Sequence, residues 1–290
     1  NDYQDIFLYN GSTGGLMVDP LPMRGIGWNT AVTMNDLLEN HLMKAGLFIT
    51  PNLRNSDLFM EYRYMPNRID YGIRVDRRTL YTDYDGYTTK KYRYNKVALI
   101  ASYPISESLR ATVAPSYTLT RMVDLENIAI PDRVSDYAGG RAEVVFDNTI
   151  TNGQNMLEGT RAKVQVDYYA GLQSSSESFY KVNLDVRNYT KIHRELILAT
   201  RLAVTTSGGA APKQTLMGGM DNWLFNHRDE RKSNDVLNPA LNNDQRDLFF
   251  TNFATSMRGF NLNKLSGTSS LLLNIELRAP LVKYFYRGPI

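Results

Sequence analysis

The chain has no cysteine among its 290 residues, so a disulfide framework, a thiolate metal centre and thiol redox chemistry are all excluded. Histidine is nearly as scarce. His41, His193 and His227 lie too far apart in sequence to give a metal-ligand spacing. Gly-x-Ser-x-Gly, His-Glu-x-x-His and phosphate-loop patterns are missing, which leaves no sequence support for an enzyme or a cofactor. Neither sign of charge dominates: 33 Lys and Arg stand against 30 Asp and Glu, interleaved along the chain, and nucleic-acid binding has no electrostatic footprint. A run of about eighteen apolar residues is also lacking, which excludes a transmembrane helix. Asn1 is not an initiator, and no charged segment with an apolar stretch follows it, so the expectation is a mature chain or a piece of a longer one.

What the chain does have is alternation. Leu58, Met60, Tyr62 and Tyr64 share one phase against Phe59, Glu61 and Arg63. Ala162, Val164, Val166 and Tyr168 stand against Arg161, Lys163, Gln165 and Asp167, and Tyr180, Val182, Leu184 and Val186 against Lys181, Asn183, Asp185 and Arg187. Leu271, Leu273, Ile275 and Leu277 alternate with Leu272, Asn274, Glu276 and Arg278. Period two is the signature of strands with unlike faces. A soluble β-sandwich alternates too, but its strands average about five or six residues, and many here run longer. Their polar faces carry both signs of charge, as the lining of a wet lumen would. A mean hydropathy of −0.38 fits, because only alternate residues of a membrane barrel meet lipid. The 19 tyrosines suit membrane–water interfaces.

The pattern predicts strands at 24–35, 42–50, 56–65, 68–81, 92–103, 108–122, 137–149, 159–172, 178–190, 195–206 and 269–282. Tight connections such as Met65-Pro66-Asn67 alternate with longer polar ones such as 82–91 and 123–136, which separates a short-turn side from a long-loop side. Parity then requires one earlier strand, which Tyr3–Tyr9 can supply, giving about twelve. A long insertion, 207–268, precedes the last strand, and its stretch from Asn226 to Gln245 reads as a solvated external loop. The fold class is therefore all-β, an antiparallel transmembrane β-barrel occupying residues 1–290, with one long loop.

That insertion holds Gly218-Gly219 and then Arg258-Gly259-Phe260. It is followed at once by Leu271-Leu-Leu-Asn-Ile-Glu-Leu-Arg-Ala-Pro-Leu281. In this order the motifs resemble the C-terminal barrel of the bacterial surface-antigen superfamily, which comprises the BamA-like insertases and the POTRA-barrel translocases. Asp36-Leu-Leu-Glu-Asn-His41 is similar to a turn written Asp-x-x-Gly-x-His in that family, with Glu39 where glycine is usual. The resemblance implies a barrel of sixteen strands, the last four beyond Ile290, and a loop folded inward with Arg258 in the lumen. It makes Glu276, on the lumenal phase of the next strand, an expected partner of Arg258, with a second acid on a strand beyond this chain. It further implies a Gram-negative outer membrane, a lipid bilayer as surroundings, outer-membrane or secreted proteins as clients, and periplasmic accessory subunits as further partners. A membrane anchor or pore for an upstream propeller or hydrolase domain is the alternative. No catalytic, cofactor or metal residue is expected.

Overall fold

Strands account for nearly all regular structure in the computed structural model, which describes residues 7–18, 26–84, 88–127, 129–153, 156–193, 196–221, 223–227, 229, 248–254 and 257–279. The wall is built from β1 (Leu8–Val18), β2 (Ile26–Asn35), β3 (His41–Ile49), β4 (Ser56–Tyr64), β5 (Asp70–Tyr84), β6 (Thr88–Pro104), β7 (Leu109–Asp124), β8 (Arg133–Asp147), β10 (Met156–Gly171), β11 (Phe179–His193), β12 (Leu196–Gly209) and β16 (Ser269–Arg278). Each pairs with the next in one antiparallel sheet, and β9 (Ile150–Gly153) is a side branch on β10. This is the up-and-down order of a barrel wall. β1 and β16 form the two edges of the described sheet.

Register turns the alternation into rows. Val144, Val164, Leu184, Val204 and Leu271 stand side by side across five strands. One residue further along, Glu143, Gln165, Asn183, Thr205 and Ser270 form the next row on the opposite face. The burial is inverted relative to a soluble sandwich: Val164 is 44% exposed, whereas Gln165 is 9% and Asp167 4%. A sandwich would hide the valines against a second sheet. Here the polar face is enclosed and the apolar face is bare, the arrangement of a barrel whose outside meets lipid. The protein is accordingly an antiparallel barrel of the outer-membrane type.

Several boundaries differ from the sequence reading: β5 runs on to Tyr84, β6 begins at Thr88 and not at 92, and β8 begins at Arg133 and not at 137, so much of the connections expected at 82–91 and 123–136 is strand. The first described strand is Leu8–Val18, which shares only Leu8 and Tyr9 with the expected Tyr3–Tyr9; residues 1–6 lie outside the described residues. The predicted insertion at 207 begins three residues late, because Ser207, Gly208 and Gly209 continue β12 along β11. Of the stretch Asn226–Gln245, only 226, 227 and 229 are described.

Candidate functional site

The lumenal face of the wall is a lattice of paired charges. Glu61 receives Arg63 at 2.5 Å and Arg74 at 3.0 Å, and Arg74 also reaches Asp76 at 2.8 Å. Arg141 meets Asp167 at 2.8 Å, and Asp185 is held by Arg187 at 2.9 Å and Arg201 at 2.8 Å. Cross-strand neighbours of opposite sign stabilise a sheet, and each carboxylate here has a guanidinium within reach. The Glu61, Arg74 and Asp167 groups line a cavity of about 890 Å³, bounded at the long-loop end by Phe249 and Phe250 of the insertion; the Asp185 group lies outside it.

That end is where the insertion grips the wall. Its inner strands β13 (Thr215–Met217), β14 (Asn252–Ala254) and β15 (Leu265–Gly267) form a small separate sheet in the order β14-β13-β15. A single 3-10 turn, Leu248–Phe250, precedes β14. Phe250 is 2% exposed, with ring centroids 5.0 Å from Tyr169 and from Phe179, 5.6 Å from Tyr137 and 5.8 Å from Tyr94. Leu248 and Leu216 pack beside Leu80 in an adjoining cluster. Lys181 on β11 donates to the Phe250 carbonyl and, at 3.0 Å, to Asn252 Oδ1. The contacts come from lumenal positions of β5, β6, β8, β10 and β11, so the loop lies inside the barrel. The sequence reading missed this foot. Its signal was Leu248-Phe249-Phe250, an apolar triplet directly after a charged, Asn-rich stretch.

The predicted motif residues come together at the other end of the insertion. Met257 N donates to Gly219 O at 2.9 Å, and Gly219 N donates to Phe260 O at 3.2 Å, which joins Gly218-Gly219 to the Arg258-Gly259-Phe260 tip as a short ladder. Glycine is required at both ends. Gly219 has φ +66° and Gly259 φ +81°, in the left-handed region that residues with a Cβ avoid. A Cβ on Gly218 would lie 1.8 Å from the Asn261 carbonyl oxygen, while Gly259 has open space around it. Asn226 braces the turn by accepting from Met220 N at 3.0 Å.

Arg258 and Glu276 line one cavity of about 550 Å³ with Met220, Asp221, Phe260 and Asn274. Glu276 is ion-paired with Arg278 at 2.9 Å, and among the described residues Arg258 makes no ion pair. Both side chains are exposed, and β16 is the last strand of the described sheet. The tip and Glu276 thus face one cavity, and Arg258 makes no ion pair among the described residues.

At the short-turn end, Asp36 is 1% exposed and its Oδ1 accepts from His41 N at 2.8 Å, while His41 Nδ1 lies 2.7 Å from Tyr62 Oη. Glu39 adopts φ +57°, the conformation a glycine would take there without strain. Among the described residues no group of three or more His, Asp or Glu could hold a metal ion.

No family model matches the sequence, and no curated protein matches it. Among solved structures the chain is similar to the crystal structure of BamA from Haemophilus ducreyi lacking POTRA domains 1–3. The TM-score is 0.54 and the identity 12%, over 71% of this chain and 42% of that one. The likeness is one of fold, and it spans less than half of the solved chain.

Proposed function

We propose that this chain is the membrane barrel of a protein insertase or translocase in the outer membrane of a Gram-negative bacterium. Its partners are the lipid bilayer, outer-membrane or secreted client proteins, and periplasmic accessory subunits; it uses no cofactor and performs no covalent chemistry. The observation that carries this reading is the insertion, which folds into the lumen of a BamA-type barrel and joins Gly218-Gly219 to Arg258-Gly259-Phe260 beside Glu276. In the mechanism that follows, the inner loop braces the wall and leaves motion to the seam between the first and last of sixteen strands. A client strand adds to the open seam by backbone pairing.

β1 suits the seam. Asn10-Gly-Ser-Thr-Gly-Gly15 fills its middle, and its register with β2 shifts between Tyr9 and Gly11. Glycine packs no side chain and weakens a strand, so β1 is held by its backbone ladder and can be released. The test is reconstitution of the full-length protein into liposomes with an unfolded outer-membrane client. Accelerated folding is expected, together with a disulfide between Gly14→Cys and a cysteine in the client's terminal strand. Unaltered folding and no cross-link would overturn the reading in favour of an anchor, and solute flux without client folding would overturn it in favour of a pore.

A further inference from the structure

Among the described wall strands, lysine and arginine on the outward face are confined to one place. Within these strands, the only ones sharing the outward phase of Val75, Val97 and Val113 are Arg77 on β5, Lys91 and Arg93 on β6, and Arg121 on β7. They form a contiguous block. Arg93 is opposite Thr79 on one side and directly opposite Arg121 on the other; Arg77 is opposite Asn95, the next outward residue of β6. Lys91 Nζ lies 4.8 Å from the centre of the Tyr81 ring.

Like charges directly opposite on neighbouring strands repel, so this block needs a counter-charge. Arg121 has one, donating from Nε to Asp132 at 2.8 Å. Arg93 makes no ion pair among the described residues, and its Nε is buried without a hydrogen-bond partner among them. Arg77 is exposed and has no ion pair among the described residues. Two further acids share this phase beside the block: Asp83, opposite Thr89 at the end of β5, and Asp136 opposite Leu119, which is 9% exposed and tucked against the 172–178 turn, where its N donates to Ser176 Oγ at 3.0 Å.

The height of the block sets its surroundings. From Tyr103, at the short-turn end of β6, to Arg93 is about ten residues, or about 33 Å of strand. A tilt of about 40° reduces that to about 25 Å, the height of the apolar band of a membrane barrel. Leu99 and Val97 lie between, 57% and 42% exposed. The block therefore stands at headgroup level on the long-loop side. Isolated interfacial arginines snorkel into water. A cluster with a buried, unpartnered Nε is arranged instead for an anion, and a guanidinium fork fits two phosphate oxygens at once.

We propose that Arg77, Lys91, Arg93 and Arg121 bind the phosphate groups of a phosphorylated glycolipid in the outer leaflet. This rests on the outer-membrane reading above, which makes the long-loop side the outer face. Full-length protein in detergent is titrated with bisphosphorylated lipid A, with its dephosphorylated form and with phosphatidylglycerol, and bound lipid is read by native mass spectrometry. The bisphosphorylated form should bind at least tenfold tighter than either competitor. Arg77→Gln with Arg93→Gln should remove roughly tenfold to thirtyfold of that affinity, Arg93→Lys should fall between, and lumenal Arg110→Gln should change nothing. Equal binding of the three lipids, or wild-type affinity in the double variant, would overturn the inference. Val97→Cys in intact membranes separates the two readings: labelling by a water-soluble maleimide sinks the membrane reading and this one together. Protection of Val97, with a double variant that binds as wild type does, sinks the glycolipid site alone.

Discussion

Phe250 and Phe260 belong to one insertion, yet the first is 2% exposed and the second 50%. The foot around Phe250 is apolar and touches four aromatic rings of the wall, with Lys181 holding its carbonyl. The tip around Phe260 is built from glycines and backbone hydrogen bonds, and its arginine has no ion pair among the described residues. Burial of aromatic surface fixes where the loop sits, because each ring pair adds about 0.5–1.5 kcal/mol to the burial itself. Backbone geometry fixes only the shape of the tip. A loop fastened at one end and only shaped at the other suits a brace with one firm and one adjustable contact.

Removing the foot should therefore have the largest effect. Phe250→Ala deletes a buried ring and should cost about 3–5 kcal/mol, whereas Phe260→Ala should stay within about 0.5 kcal/mol. Denaturant unfolding of the reconstituted barrel, followed by heat-modifiable mobility on gels, measures both. Equal losses would erase the contrast between foot and tip. A further consequence is leakage: with Phe250 gone the lumenal cavity loses its cap, and small-solute flux through proteoliposomes should rise in Phe250→Ala and not in Phe260→Ala.

The wall was legible because side chains announce a two-faced strand every second residue. Most of the predicted strands, for example 56–65 against Ser56–Tyr64 and 159–172 against Met156–Gly171, recur within a few residues. The run of β1 beyond Tyr9 was not read because Gly11, Gly14 and Gly15 carry no pattern, and the strand is defined by its ladder with β2 alone. The foot was missed because three consecutive apolar residues have no period, and only their contacts with Tyr94, Tyr137, Tyr169 and Phe179 give them a role. The site was half legible. The motifs at 218–219 and 258–260 were found separately, but the ladder that unites them runs through Met257 and backbone atoms. At Glu39 the residue type misleads where the backbone does not, since φ +57° is kept without the glycine.

The glycines of the tip sharpen the comparison at intermediate scale. Gly218→Ala drives a Cβ onto the Asn261 carbonyl, so the backbone must move, and about 1–3 kcal/mol of local destabilisation is expected. Gly259→Ala meets nothing and carries only the left-handed φ penalty of about 1–2 kcal/mol. Hydrogen exchange at the Met257 and Gly219 amides reports the ladder directly. Gly218→Ala should accelerate exchange at both more than Gly259→Ala does. The reverse order would mean that the tip is held by its outer turn and not by its base.

Arg258 is the smallest effect on stability and the most informative. It is exposed and outside any ion pair among the described residues, so Arg258→Ala should change unfolding by less than about 0.5 kcal/mol. Glu276 would keep Arg278 as its partner at 2.9 Å and would not be stranded. If the arginine serves as the adjustable contact of the brace, client folding should nevertheless fall in Arg258→Ala. Arg258→Lys should recover only part of it, because an ammonium lacks the planar fork. Glu276→Gln separates the two candidate partners. Should it reproduce the loss seen in Arg258→Ala, with no further loss in the double variant, the working contact is Arg258 with Glu276 across their shared cavity. Additive losses would instead assign Arg258 to an acid on another strand. Full client folding in Arg258→Ala would leave the tip without a role in the brace, and the aromatic foot alone would carry it.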